Sequence, residues 1–193
     1  DSPSLPIEEI RGELLDALQA PSPRILLKAP TGSGKSTGVP PMMDDAGLGE
    51  RGLIVVVQPR RMAARLLARH VARLRGVELG KEVGYVVRFE RHISPRTRIA
   101  YVTDGMLERW LTERPALEGV SAVVFDEFHE RSLSGDLSLG RVLDLQEGPR
   151  PDMAVAVMSA TLEISGLRDY MGASCRVLEA HGRQYPVETV YRA

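Results

Sequence analysis

The chain has 193 residues, of which 43% are apolar and 26% are charged, and its formal net charge is -1. This composition excludes a disordered chain, and the small net charge excludes a uniformly basic nucleic-acid coat while allowing a local strip of arginines. No apolar run spans a bilayer, nothing resembles a signal peptide and the single Cys175 cannot form an internal disulfide, so we expect a cytoplasmic protein with no membrane association.

The chain begins with a predicted amphipathic helix, a strand and a phosphate-binding loop. Apolar residues recur at helical spacing from Ile7 to Leu18, and the run from Ile25 to Leu27 predicts a strand. The segment from Ala29 to Ser36 reads Ala-Pro-Thr-Gly-Ser-Gly-Lys-Ser, the G-x-x-x-x-G-K-[ST] pattern with alanine in the first position. A glycine-rich turn without a ligand is the alternative, but the preceding strand and the Lys-Ser pair favour a phosphate loop.

The residues of this loop have the chemistry that phosphate binding requires. Gly32 and Gly34 allow backbone conformations in which successive N–H groups turn inward around a phosphate. Lys35 reaches the outer phosphates, and Ser36 offers its hydroxyl to Mg²⁺. The helix that follows adds the partial positive charge of its N-terminus to the same anion site.

Strands and helices alternate after the loop. The Pro40-Pro41 pair predicts that the helix behind the loop is short or kinked. Apolar, β-branched runs predict further strands, and amphipathic runs predict helices between them. The predicted strands are Leu53–Val57, Val83–Phe89, Thr97–Val102, Val120–Phe125 and Ala154–Met158, with short strands near Val177 and over Val187–Tyr191; the predicted helices are Arg60–Arg75, Met106–Leu111, Leu133–Leu145 and Leu162–Met171.

Two of these predicted strands are followed by residues suited to binding a nucleic-acid backbone. Arg60 and Arg61 lie beside a predicted helix N-terminus, where phosphate contact is favoured, whereas a solvated face explains the arginines further along that helix better. Thr103, Asp104 and Gly105 precede the next helix. Helix capping and nucleic-acid contact are equally open for this segment from local chemistry alone.

A pair of carboxylates follows the strand that ends at Phe125. Asp126 would hold Mg²⁺ through its water shell while Ser36 binds the same ion directly, and Glu127 is then the candidate base that activates water. A solvated strand end is the alternative, and the presence of the phosphate loop weighs against it. The strand after this one ends at Ser159-Ala160-Thr161.

Apolar strands alternating with helices predict an α/β fold with a mostly parallel sheet and helices on both faces. In such sheets, ligands bind outside the carboxyl ends of the strands. The loops that begin at Ala29, Gln58, Thr103, Asp126 and Ser159 are therefore expected to share one edge. No break in composition divides the chain, so we expect residues 1–193 to form a single domain.

The order of these motifs resembles the first motor domain of the DEAH/DExH-box ATP-dependent RNA helicases of superfamily 2, a RecA-like phosphate-loop NTPase domain. The segments Gly84–Glu90 and Gly182–Glu188 are similar to the bacterial HrpB-like subgroup. The resemblance covers the chain from Leu5 to its end. Phe128 departs from the Ala of the DEAH name but replaces none of the chemical residues.

The resemblance implies a role for each motif. The implied nucleotide contacts are Thr31, Gly32, Ser33, Gly34, Lys35, Ser36 and Thr37; the implied metal-binding residues are Ser36, Asp126 and Glu127; the implied catalytic residues are Lys35, Asp126, Glu127 and His129. His129 also belongs to the implied coupling residues, with Ser159 and Thr161. The implied nucleic-acid contacts are Arg60, Arg61, Arg88, Thr103, Asp104 and Gly105, with Phe89 as an alternative to Arg88.

The same resemblance implies the partners. They are ATP or another NTP with Mg²⁺, single-stranded RNA bound with little sequence preference, and a second RecA-like domain of the same parent chain that contributes arginines to the reaction. This chain ends before such a domain. We therefore expect residues 1–193 alone to bind Mg-nucleotide weakly and to turn it over poorly.

Three other functions share part of this pattern. A DNA translocase shares the motor architecture, and only the Arg-Arg and Thr-Asp-Gly motifs favour RNA. A nucleotide-gated switch would bind RNA without separating strands. A small-molecule kinase would share the phosphate loop, but the segments Asp126–His129 and Ser159–Thr161 argue against it.

Overall fold

Eight strands form one sheet within the described part of the chain, and helices cover both faces of that sheet. The computed structural model describes residues 5–161 and 164–181. The strands are β1 (Arg24–Lys28), β2 (Leu53–Gln58), β3 (Val83–Val87), β4 (Glu90–His92), β5 (Ile99–Thr103), β6 (Val120–Phe125), β7 (Ala154–Ser159) and β8 (Arg176–Glu179). The helices are α1 (Arg11–Leu18), α2 (Lys35–Asp45), α3 (Leu48–Arg51), α4 (Arg61–Leu74), α5 (Asp104–Glu113), α6 (Leu133–Glu147) and α7 (Ile164–Met171), with short 3-10 helices at Pro6–Ile10 and Phe128–Glu130.

The strands lie in the order β4-β3-β5-β2-β6-β7-β1-β8. Each neighbouring pair is parallel except β3 with β4, so the predicted mostly parallel α/β sheet is confirmed. The predicted strand Val83–Phe89 is wrong in its last part, because a turn at Arg88 and Phe89 reverses the chain into β4. Phe89, the second residue of this two-residue turn, has a φ of 69°, in the left-handed region that the third position of a type II turn requires.

Side chains of the strands alternate between two apolar cores. On one face of the sheet, Ile54 and Val56 pack with residues of α1, α2 and α4. On the other face, Val55 and Val57 pack with residues of α5, α6 and α7. All four are buried, because parallel strands covered on both faces leave no side exposed to solvent.

Helix α2 continues through the Pro40-Pro41 pair to Asp45, although the sequence predicted a short or kinked helix. Proline has no N–H, so the carbonyl four residues earlier loses its helical hydrogen bond. For Pro40 that carbonyl belongs to Ser36, and the Tyr101 hydroxyl donates a hydrogen bond to it at 2.8 Å. This substitute donor offsets part of the cost of a proline inside a helix.

Other boundaries agree with the sequence to within a few residues. The predicted strand over Val187–Tyr191, the segment Gly182–Glu188 and the first two residues of the predicted helix at Leu162 lie outside the described residues. In the part of the chain that the structure describes, no helix is long and apolar enough to cross a membrane.

Candidate active site

The carboxyl ends of the strands bring the sequence motifs to one edge of the sheet, as predicted. The sheet order divides these motifs into two neighbouring groups. Strands β6, β7 and β1 end at the acidic pair, the Ser-Ala-Thr segment and the phosphate loop, which we call the phosphate-loop half. Strands β3, β5 and β2 end at Arg88, Thr103 and Arg60, which we call the arginine half. Strands β2 and β6 are neighbours, so the two halves meet between them.

The phosphate loop turns between β1 and α2 on two glycines. Gly32 and Gly34 have φ angles of 79° and 86°, in the left-handed region that glycine adopts without strain. A Cβ at Gly32 would meet no atom within 4 Å, so the backbone is open to a ligand there. The first turn of α2 adds N–H groups that have no helical partner. This concave set of donors suits a phosphate.

The other loop residues differ in their exposure. Thr31 is exposed, whereas Ser33 is buried and its N–H donates to the Pro30 carbonyl at 3.2 Å. The Thr37 hydroxyl donates to the Gly34 carbonyl at 3.3 Å. The geometry therefore gives Ser33 and Thr37 a part in shaping the loop.

Lys35, Glu127 and His129 form a chain of contacts in the phosphate-loop half. Lys35 Nζ lies 2.9 Å from Glu127 Oε1, and His129 Nε2 lies 3.2 Å from Glu127 Oε2. The Ala160 N–H donates to His129 Nδ1 at 3.2 Å. Because Nδ1 accepts this hydrogen bond, the neutral ring carries its proton on Nε2, facing Glu127. His129 thus joins Glu127 to the Ser-Ala-Thr segment.

The Lys35–Glu127 pair combines a buried charge with a strained backbone. Lys35 is only 3% exposed, and a buried ammonium group requires a charged or strongly polar partner. Glu127 has a φ of 49° and a ψ of 36°, a left-handed conformation that costs a residue with a side chain about 1 kcal/mol. Such strain is typical of functional sites, where surrounding contacts hold it in place.

Asp126 is buried at the boundary between the two halves. The Gln58 side-chain amide donates to its Oδ2, and the Glu127 N–H donates to its Oδ1 at 2.8 Å. Burial raises the pKa of Asp126, while hydrogen bonds from Ser36 and Gln58 act in the opposite direction. Gln58 was not predicted as a site residue. A single amide at the end of an otherwise apolar strand is the sequence signal that could have identified it.

The oxygen atoms of Ser36 and Asp126 suit a Mg²⁺ ion. Both are hard oxygen donors at the carboxyl edge of the sheet, and Mg²⁺ requires few protein ligands when phosphate oxygens complete its shell. The two oxygens of Glu127 instead contact Lys35 and His129, so the geometry favours Asp126 over Glu127 as a metal ligand. The described residues contain no cluster of three or more His, Cys, Asp or Glu side chains that could hold a metal.

Ser159 and Thr161 belong to a segment with contacts in two directions. The Ser159 carbonyl accepts the Ala29 N–H at 3.1 Å, at the start of the phosphate loop. The Thr161 N–H donates to the Ser159 hydroxyl at 3.4 Å. A movement of this segment would therefore affect the phosphate loop through Ala29. It would affect Glu127 through His129.

The arginine half presents exposed basic and aromatic side chains. The Arg60 side chain is 73% exposed, and its guanidinium donates two hydrogen bonds to Glu130, at 3.1 and 3.2 Å. Arg61 donates to the Arg88 carbonyl at 3.0 Å and so connects α4 with the turn between β3 and β4. At that turn the Arg88 guanidinium lies 4.8 Å from the ring centre of Phe89, which is 86% exposed.

The Thr103-Asp104-Gly105 segment begins α5 without the side-chain cap that the sequence suggested. Thr103 occupies the N-cap position, but its side chain makes no capping hydrogen bond. The Asp104 carboxylate accepts the Ser132 hydroxyl at 2.8 Å, and burial raises the pKa of Asp104. A Cβ at Gly105 would meet no atom within 4 Å. The backbone N–H groups of this first turn are therefore better suited to binding an anion than the Asp104 carboxylate is.

The comparisons with known proteins agree on one family. Residues 9–170 match the DEAD/DEAH box helicase family. The chain is 43% identical over 188 residues to the ATP-dependent RNA helicase HrpB of Escherichia coli (strain K12), which covers 97% of this chain and 23% of that protein. It is 40% identical over 190 residues to the probable ATP-dependent RNA helicase DHR2 of Saccharomyces cerevisiae, covering 97% of this chain and 26% of that protein.

The fold comparison agrees with the sequence comparison. A crystal structure of the E. coli DExH-box NTPase HrpB matches this structure with a TM-score of 0.88 and 42% sequence identity, over 97% of this chain and 23% of that chain. The predicted RecA-like fold is thereby confirmed, and the chain spans about a quarter of the length of these relatives. The chain belongs to the DEAD/DEAH box helicase family.

Proposed function

We propose that this chain is the first motor domain of an ATP-dependent RNA helicase, in which ATP hydrolysis drives movement along RNA or separation of its strands. One observation carries the proposal: the Gln58 amide, at the strand end that leads to Arg60, hydrogen-bonds the buried Asp126 carboxylate beside Glu127. This contact joins a surface suited to a nucleic-acid backbone directly to a site suited to nucleotide hydrolysis. The relatives HrpB and DHR2, which are named as ATP-dependent RNA helicases, support it.

The phosphate-loop half would bind the nucleotide. Backbone N–H groups of Gly32, Gly34, Lys35 and Ser36 would surround the phosphates, and the Lys35 side chain would neutralise their charge. A Mg²⁺ ion held by Ser36 and Asp126 supplies further charge neutralisation at the phosphate oxygens when bound. As phosphate oxygens take over the Lys35 ammonium, the Glu127 carboxylate is released from its ion pair.

Glu127 would then act as the base. A carboxylate freed from Lys35 can accept the proton of the water that attacks the terminal phosphorus, while the bond to the leaving phosphate oxygen breaks. The Nε2 proton of His129 holds the other Glu127 oxygen and so orients the carboxylate. Because His129 also accepts the Ala160 N–H, movement of the Ser-Ala-Thr segment is transmitted to the base.

The arginine half would bind single-stranded RNA. Arg60 can exchange Glu130 for a phosphate, because this ion pair lies at the surface and such pairs contribute little stability. The backbone donors at Thr103 and Gly105 begin a helix beside it, and Phe89 offers an exposed ring on which a base can stack. Contacts of these kinds carry little sequence information, so we propose binding with little sequence preference.

A second RecA-like domain of the parent chain would complete the site. Transfer of the terminal phosphoryl group requires positive charge on the side that the described residues leave to solvent, and helicases of this class take it from the second motor domain. The length of the relatives, of which this chain covers 23% to 26%, supports the proposal. Residues 1–193 would accordingly form one motor domain.

The test is steady-state ATP turnover by the parent chain that contains both motor domains. We expect single-stranded RNA to stimulate turnover and single-stranded DNA of equal length and sequence to stimulate it less. Equal stimulation by DNA would favour a DNA translocase. Turnover indifferent to both polymers would contradict the assignment of Arg60 and Thr103. If RNA stimulates turnover without release of a duplexed strand, the protein is a nucleotide-gated RNA-binding switch.

Replacing His129 with alanine is expected to reduce RNA-stimulated turnover by about tenfold or more, the usual effect of losing a partner that orients a reacting group. Nucleotide affinity should change little, because His129 contacts Glu127 and Ala160 and neither lies in the phosphate loop. Turnover and equilibrium nucleotide binding would be measured on the same preparation. His70→Ala, in the interior of α4 and outside both halves of the site, is the matched control, and an equal loss in both variants would exclude a specific role for His129.

A further inference from the structure

Helix α2 contains a carbonyl that its own backbone cannot satisfy. In an α-helix the carbonyl of residue 36 accepts the N–H of residue 40, and Pro40 has none. Ser36 is the residue whose hydroxyl is assigned to Mg²⁺ in the proposed function. The orientation of the peptide that carries this hydroxyl therefore depends on another donor.

Tyr101 supplies that donor from the middle of β5. Its hydroxyl donates to the Ser36 carbonyl at 2.8 Å, and its side chain is fully buried in the core beneath the sheet. Burial raises the pKa of Tyr101 well above its usual value, and the negative charge of Asp126 adds to this effect.

Tyr101 thus holds the carbonyl of the residue whose hydroxyl is proposed to bind Mg²⁺. Two residues beyond Tyr101, β5 ends at Thr103 in the arginine half. The same strand therefore carries a proposed RNA contact and the anchor of a proposed magnesium ligand.

We propose that Tyr101 is a positioning residue that orients Ser36 for Mg-nucleotide and connects the phosphate loop to the RNA-binding end of β5; this inference rests on the proposed function. The phenol touches neither nucleotide nor metal. It acts through the Ser36 peptide, at the position where Pro40 has removed the ordinary helical donor.

The first experiment compares the wild type with Tyr101→Phe in the parent chain with both motor domains. ADP affinity is measured by equilibrium binding, once with Mg²⁺ and once with EDTA. We expect about tenfold weaker binding of Mg-ADP, the usual effect of leaving one buried carbonyl without its donor, and unchanged binding of ADP in EDTA. Tyr85→Phe is the matched control, because it removes another buried phenol of the same face, bonded to Glu90 at 3.2 Å.

A second variant tests the mechanism by rescue. Pro40→Ala restores an N–H at position 40, which can satisfy the Ser36 carbonyl from within the helix. The double variant Pro40→Ala/Tyr101→Phe is therefore expected to regain most of the Mg-ADP affinity that Tyr101→Phe loses. A purely structural role for the phenol would show no such rescue and would lower the affinity equally with and without Mg²⁺.

The outcomes separate this inference from the proposed function. A wild type that binds no ADP in either condition overturns the proposed function, and the role of Tyr101 with it. A wild type that binds Mg-ADP normally, with Tyr101→Phe binding it equally well, overturns the inference alone. Loss confined to Mg²⁺ conditions, with recovery in the double variant, supports it.

Discussion

Replacing Lys35 with alanine is expected to abolish measurable ATP binding by the parent chain. Lys35 is buried at the start of α2, where its ammonium pairs with Glu127 and is placed to meet phosphate oxygens. Truncating one partner of a buried, hydrogen-bonded charge pair across a binding interface, here Lys35 against a phosphate, costs about 2 to 5 kcal/mol, or about 30- to 4,000-fold in affinity. The change also leaves the Glu127 carboxylate without its cation, which disfavours an approaching phosphate further.

The measurement is equilibrium binding of ATP in the presence of Mg²⁺, together with thermal unfolding to show that the variant is folded. Lys81→Ala is the matched control, because Lys81 is one of only three lysines and forms an exposed ion pair with Glu78, outside both halves of the site. Affinity within a few-fold of the wild type in Lys35→Ala would show that the segment Ala29–Ser36 does not bind nucleotide.

Replacing Glu127 with glutamine is expected to separate hydrolysis from binding. The amide cannot accept a proton from water, and loss of a general base lowers the rate by about 10²- to 10⁴-fold. Binding should be equal or tighter, because the neutral amide no longer competes with phosphate for Lys35. The side chain keeps an oxygen that can accept the Nε2 proton of His129, so the local structure is preserved.

Single-turnover hydrolysis and ATP affinity would be measured side by side in this variant. Glu147→Gln is the control, because Glu147 pairs with Arg24 at the opposite edge of the sheet. Hydrolysis at the wild-type rate in Glu127→Gln would remove Glu127 from the role of base. Loss of binding together with hydrolysis would instead show that Glu127 holds the nucleotide or its metal.

Much of the fold could be predicted from the sequence because local signals were strong. Short runs that are apolar except for one residue identified the central strands β2 and β6, because strands covered on both faces of a sheet have this composition. Motifs placed directly after these runs had to meet at the carboxyl edge of a parallel sheet. The sequence therefore predicts that the phosphate loop and the acidic pair lie at the same edge of the sheet.

Two differences from the sequence-based expectations involve partners distant in sequence. Helix α2 continues through the Pro40-Pro41 pair, and Tyr101, 61 positions beyond Pro40, provides a donor to the Ser36 carbonyl. Asp104 does not behave as a helix cap because Ser132 binds its carboxylate. Neither contact can be predicted from the spacing of residues along the chain.

By itself, the sequence determined which chemical groups follow which strands, because the apolar runs and the motifs behind them are local features. Only the tertiary structure decided how these groups are arranged along the edge. Along the chain, the motifs of the arginine half separate the phosphate loop from the acidic pair. The sheet order β3-β5-β2-β6-β7-β1 instead forms an arginine half and a phosphate-loop half that meet where Gln58 binds Asp126. Which strands become neighbours depends on how buried side chains and helices pack across the whole domain. This division therefore arises only when the sheet assembles.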